Sequence, residues 1–270
     1  MPYVAVNGTR LWVEDSGPGS TGETLVFSHG LLMDSHLFAP QAEFFRERYR
    51  CIRYDHRGQG RSDDSPGRIV TIEQVYDDAV ALIEALALGS VHFCGLSMGG
   101  FVGLRLGARR PDLLRSLVLL DTSAAPEPRE NVPRYRLLNF VAGLFGVGVV
   151  AGRVMPILFG KDFLGDPARA HERAEWRTRL KSNRRSIVRA VRGVIERSGV
   201  EQELPKVTTP TLVLVGEQDV ATVPARAEQI VAGVRGSRLV RVPRAGHSSS
   251  VEQPDAVNAA IDEFLRVLSA

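Results

Sequence analysis

A chain of 270 residues, 44% of them hydrophobic, is long enough to bury one large core or a core with an insertion. Its two cysteines, Cys51 and Cys94, lie in or beside apolar runs; they exclude a disulfide framework and read as small buried hydrophobes. The net charge is +3 but unevenly spread, because residues 129–197 hold 15 Lys and Arg against 6 Asp and Glu, a local +9 that leaves −6 on the remainder, with too few aromatics among the arginines to suggest base stacking on a nucleic acid.

Residues 1–6, Met-Pro-Tyr-Val-Ala-Val, show neither a basic start nor an apolar stretch of signal length, so a cytoplasmic location is expected. Asn7-Gly8 reads as the turn of a hairpin between runs at 3–6 and 10–13. Strands and helices then alternate. Strand-like runs cover 25–28, 91–94, 116–120, 211–215 and 238–242, with another ending near Tyr54, and helical patterns fall near 35–48, 72–88, 99–109, 224–233 and 254–268. This alternation predicts an α/β fold with a mostly parallel sheet flanked by helices. It breaks once: from 125 to 205 there are only helical patterns, bordered by Pro126, Pro128 and Pro133 on one side and by Pro205 and Pro210 on the other. Prolines at both borders mark an inserted unit, so the expected division is a core of 1–124 and 206–270 with a helical insert over 125–205.

Within the insert, Leu137 to Gly152 is apolar except for Asn139. A membrane span needs roughly 20 apolar residues, so this stretch is too short to cross a bilayer and no membrane partner is expected. It is expected to line an apolar acyl or ring pocket, to form the core of the insert or to make a dimer contact. The basic charge of the insert either draws an anionic substrate inward or is a solvated face.

Gly95-Leu96-Ser97-Met98-Gly99 follows the apolar run Val91-His92-Phe93-Cys94 directly. A serine on so sharp a strand-to-helix turn takes a strained conformation, and its neighbours must be small for strand and helix to pass. The helix beginning at Met98 points free N–H groups and its positive end at whatever is attached to Ser97. Such a serine needs a base and an orienting acid. His247 stands in a loop just past the strand 238–242, and Asp219 just past the buried strand 211–215. All three therefore reach the carboxyl edge of one sheet, where open α/β sheets place their sites. Asp121, at the end of the strand 116–120, is the rival acid. The chain order Ser, Asp, His suits an α/β hydrolase and neither serine-protease order.

Over nearly its whole length the chain resembles the α/β-hydrolase fold family. Besides the elbow at Ser97, Ser28-His29-Gly30-Leu31 resembles the family's His-Gly segment after the third strand, and Asp55-His56-Arg57-Gly58-Gln59-Gly60-Arg61-Ser62 its D-x-R-G-x-G-x-S turn. Gly246-His247 with Glu252-Gln253-Pro254 resembles its closing pattern, and the turn at Gly216-Glu217-Gln218-Asp219 favours Asp219 over Asp121. The resemblance implies that the Leu31 and Met98 N–H groups form an oxyanion hole, that the insert is a cap over the site, and that no metal or organic cofactor is required. His36, a few residues past the oxyanion loop, is expected to line the substrate pocket. His29 is expected to be a hydrogen-bonded shell residue, His56 an exposed or structural one, and His92 a packed strand residue.

Among serine members of the family the chain is similar to the group of 3-oxoadipate enol-lactonases and cofactor-free haloperoxidase-like esterases. The resemblance implies cleavage of a small carboxylic ester or lactone, anionic if the basic insert steers it, through an acyl-enzyme. The alternatives are a carbon-carbon bond hydrolase of ring-cleavage diketones and a ligand receptor that keeps the triad.

Overall fold

The computed structural model describes residues 2–269. Its eight strands are β1 (Tyr3–Val6), β2 (Thr9–Asp15), β3 (Thr24–Ser28), β4 (Arg50–Tyr54), β5 (Val91–Leu96), β6 (Leu114–Leu120), β7 (Thr211–Gly216) and β8 (Arg238–Val242). They form one sheet in the order β1-β2-β4-β3-β5-β6-β7-β8. The opening hairpin closes through Asn7 and Gly8, which stand at φ 41° and 72° as a tight two-residue turn requires. The antiparallel pairings are those of β2, with β1 on one side and β4 on the other. From β3 to β8 every pairing is parallel. Strands β3, β5 and β7 are buried along their full length, as a sheet covered on both faces demands.

Four of the five expected helices lie where the sequence puts them: Ile72–Ala85, Met98–Arg109, Pro224–Gly233 and Pro254–Ser269. The pattern over 35–48 divides instead into a 3-10 turn, Ser35–Phe38, and a short α-helix, Ala39–Phe45. Pro40 is the reason. It lacks the N–H that an uninterrupted helix would use and so occupies the first turn of a new one. Between β6 and β7 the chain forms only helical elements, the longest being Val132–Phe145 and Ala170–Lys181. The apolar stretch 137–152 is broken at Gly146, whose φ of 86° ends the first of these helices. Among the described residues no helix is long and apolar enough to cross a membrane.

What positions the site is the crossing of helix Met98–Arg109 over β3 and β5. A Cβ at Gly99 would coincide with the Ser28 carbonyl, and one at Gly95 with the Gly99 carbonyl. Neither contact can relax by a side-chain rotation, since both obstacles are backbone. Gly99→Ala is expected to lose about 3 kcal/mol of stability or more, at the upper end of overpacking costs, measured by urea unfolding; a loss below about 1 kcal/mol would contradict this packing.

Candidate active site

Ser97 occupies a conformation that few non-glycine residues adopt, φ 52° and ψ −109°. Bonds to strand and loop neighbours hold it there. Its N–H donates to the Leu120 carbonyl at 2.9 Å, and its carbonyl accepts from the Thr122 hydroxyl at 2.8 Å. The side chain is thereby lifted off the sheet toward the loop after β8, where His247 Nε2 lies 2.8 Å from Ser97 Oγ. On the other side of the ring, His247 Nδ1–H donates to Asp219 Oδ2 at 2.9 Å. This tautomer leaves Nε2 free to accept the serine proton. Asp219 is fixed in turn by the Ala221 and Thr222 N–H groups at 2.8 and 3.0 Å and by the Thr222 hydroxyl at 2.7 Å. Ser97, Asp219 and His247, expected from strand ends far apart in sequence, are thus one hydrogen-bonded chain.

The electrostatics match the geometry. Burial acts to lower the His247 pKa, but the adjoining Asp219 carboxylate outweighs it, and the imidazole stands above its ordinary value. Asp219 is buried as well, yet the imidazole and the Thr222 donors hold its pKa below the usual carboxylate range. Asp121 is engaged elsewhere. Its carboxylate accepts from the Gly216 N–H at 2.8 Å and from the Ser249 hydroxyl at 2.5 Å, and burial with the Asp219 charge pushes its pKa up to about 8.

Gly30 brings the His29-Gly30-Leu31 loop alongside the serine: a Cβ there would lie 3.4 Å from Ser97 Cβ. Neither the Leu31 nor the Met98 N–H has a hydrogen-bond partner among the described residues. Leu32, at φ 67°, is pinned by the Gln59 side chain, which accepts from its N–H at 2.9 Å, and by Asn183, which donates to its carbonyl at 3.0 Å. The D-x-R-G-x-G-x-S turn therefore shapes this loop: Asp55 also accepts from the Ser35 N–H at 2.6 Å and from the Arg61 N–H at 2.7 Å. His29 donates from Nδ1 to the Gly30 carbonyl and accepts the His56 N–H on Nε2. His56 is fully buried against it, which settles its structural role and corrects any exposed placement. His92 sits between Ser116 and Glu23 inside the sheet.

His36 is not brought to the site. It stands half exposed beside Trp176 and 3.6 Å from Glu175, outside the cavity above Ser97. That cavity, about 130 Å³, is floored by Ser97, His247 and Leu31 and walled by Leu138, Ala142, Val150 and Val194 from the helical segment. Its one cation, Arg197, is committed to Glu127 at 2.9 Å and lies over the Phe101 ring. Both cysteines are buried and unpaired, and burial raises the Cys51 thiol to about 12. No cluster of side chains suited to a metal ion occurs among the described residues.

Sequence reasoning assigned no task to Glu252. It is buried, and its carboxylate accepts from the Gly246 and Ser248 N–H groups at 3.0 and 3.1 Å, on either side of His247, and from Gly160 of the helical segment at 2.8 Å. Its place five residues after His247 was visible, but the donor at Gly160 was not.

The chain belongs to the α/β hydrolase family, whose sequence profile matches residues 25–260, and it is an enzyme of that hydrolase class. Among solved structures it is similar to a thermophilic esterase from Thermogutta terrifontis, 31% identical with a TM-score of 0.89 over 100% of this chain and 98% of that one. It is similar also to the enol-lactonase of Burkholderia xenovorans, 29% identical with a TM-score of 0.89 over 98% and 100%. A Caulobacter protein named as the carbamate hydrolase RutD is 28% identical over 92% of each chain.

Because Glu252 adds negative charge near His247 and braces its loop, Glu252→Gln is expected to move the acid limb of the kcat/KM profile to lower pH. The sign follows from the imidazole: losing a nearby anion makes His247 easier to deprotonate, and a role as general base requires it neutral. The variant should lose about tenfold in kcat with KM little changed, as misplacement of a positioned base does. An unmoved acid limb would show that Glu252 acts on packing alone.

Proposed function

We propose that the protein is a serine hydrolase that cleaves a small carboxylic ester or lactone through an acyl-enzyme. The observation that carries this reading is the unbroken hydrogen-bond chain from Ser97 through His247 to Asp219 at the floor of an apolar cavity. Ser97 Oγ attacks the carbonyl carbon as its proton passes to His247 Nε2, and Asp219 stabilises the imidazolium. The Leu31 and Met98 N–H groups, free of other partners, hold the oxyanion, and each such donor is worth about 100- to 1000-fold in rate. His247 then returns the proton to the leaving alkoxide, and the acyl group departs with a water activated by the same imidazole. Side chains and backbone N–H groups perform every step.

The helical segment 125–205 serves as a cap, supplying most of the apolar wall. With Arg197 paired to Glu127, that wall offers no uncommitted cation, which supports a neutral substrate with an apolar acyl or alkyl part over an anionic one. The basic charge of the cap is then a solvated face and not a substrate guide. The similar esterase and enol-lactonase support an ester or lactone as the substrate class.

Hydrolysis of a panel of p-nitrophenyl esters, a neutral lactone, an anionic lactone and a carbamate by wild type and by Ser97→Ala tests the reading. Wild type is expected to favour the neutral apolar esters, and Ser97→Ala to lose about 10⁴-fold or more in kcat, as nucleophile deletions do. Turnover unchanged in Ser97→Ala would overturn the acyl-enzyme. A preference for the anionic lactone would overturn the assignment of a neutral substrate while leaving the mechanism intact.

A further inference from the structure

The helix Val132–Phe145 is apolar on two sides. Leu138 and Ala142 face the cavity, whereas Leu137, Phe140, Leu144 and Phe145 lie open to solvent together with Val149 just beyond. Their exposure runs from 51% for Leu144 to 66% for Phe145. Positions 137, 140 and 144 fall in one row along a helix, so this is a continuous face and not the scattered single exposure normal for a monomer. Its surroundings are basic. No acidic residue occurs from 131 to 160, while Arg134, Arg136 and Arg153 do. Lys181 borders the same face, its Cγ lying 3.8 Å from where a Cβ on Gly148 would stand. Arg134, Arg153 and Lys181 make no ion pair among the described residues, and Arg136 reaches only Glu196, at 3.8 Å.

We propose that this face docks on an anionic lipid surface, with the Leu137-Phe140-Leu144 row and Phe145 at the acyl boundary and the arginines and Lys181 at the depth of the phosphates. Charge complementarity selects this occupant. A second copy meeting the same face would oppose one basic rim to another, as an isologous contact must. The length of the apolar stretch excludes crossing a bilayer, but lying in its surface needs only one face, and in this the proposal departs from the expectation of no membrane partner. Docking would also turn the outer side of a cavity wall toward the lipid. The inference does not depend on the serine mechanism.

Flotation of the purified protein with vesicles decides it. Binding is expected to equimolar phosphatidylcholine and phosphatidylglycerol at about 0.1 M NaCl, and to be at least about tenfold weaker with phosphatidylcholine alone or at about 0.5 M NaCl. The double variants F140S/F145S and R134S/R136S should each lose at least about tenfold in binding while keeping turnover of a soluble ester. No binding to the anionic vesicles, or binding indifferent to salt and to both variants, would overturn the proposal. So would a wild-type dimer by light scattering that F140S/F145S dissolves without any change in vesicle binding. If a variant fails to fold, the lipid and salt arms with wild type decide alone.

Discussion

The backbone of helix Met98–Arg109 passes so close to β3 that only a missing side chain at Gly99 lets it clear the Ser28 carbonyl. From this contact the rest of the site follows. With the helix held this close to β3, the turn that joins it to β5 is forced into the strained geometry of Ser97, and the strain lifts the hydroxyl above the sheet. The same contact fixes the height at which a histidine and an aspartate from two later strands must arrive. The fold tolerates the strain because the Leu120 carbonyl and the Thr122 hydroxyl hold the residue from two directions.

Around His247 three carboxyl groups share one buried region and behave differently, because each meets different donors. Asp219 faces the imidazole and three donors and is held as an anion. Asp121, beside that anion, is pushed upward and is spent on joining the ends of β6 and β7 to Ser249. Glu252 is raised by burial yet kept as an acceptor by three backbone N–H groups. Identity as an acid says little about the task of each; the partner list decides it.

The sheet and the Ser97, Asp219 and His247 positions were legible because each depends on local pattern: glycines around a turn, continuous apolar strands, and a polar loop just past a strand's end. What was not legible depends on partners far along the chain. The bond from Gly160 to Glu252 spans 92 residues and leaves no mark on either local pattern. His36 looked near the pocket by sequence distance, but it lies within the 3-10 turn Ser35–Phe38, with its ring beside Glu175 and Trp176. The two-sided apolar character of Val132–Phe145 gave no preferred face, so periodicity could not tell lining from exposure.

The Gly160–Glu252 bond also has a mechanical meaning. It ties the middle of the helical segment to the loop that carries His247, and the Ser248 hydroxyl on the Leu158 carbonyl and the Arg169 guanidinium on the Val251 and Glu252 carbonyls join the same two parts. The seam between them is therefore cross-linked at several points and not at one. The cavity wall and the seat of His247 are thus one mechanical unit, so a substitution at this seam disturbs both at once.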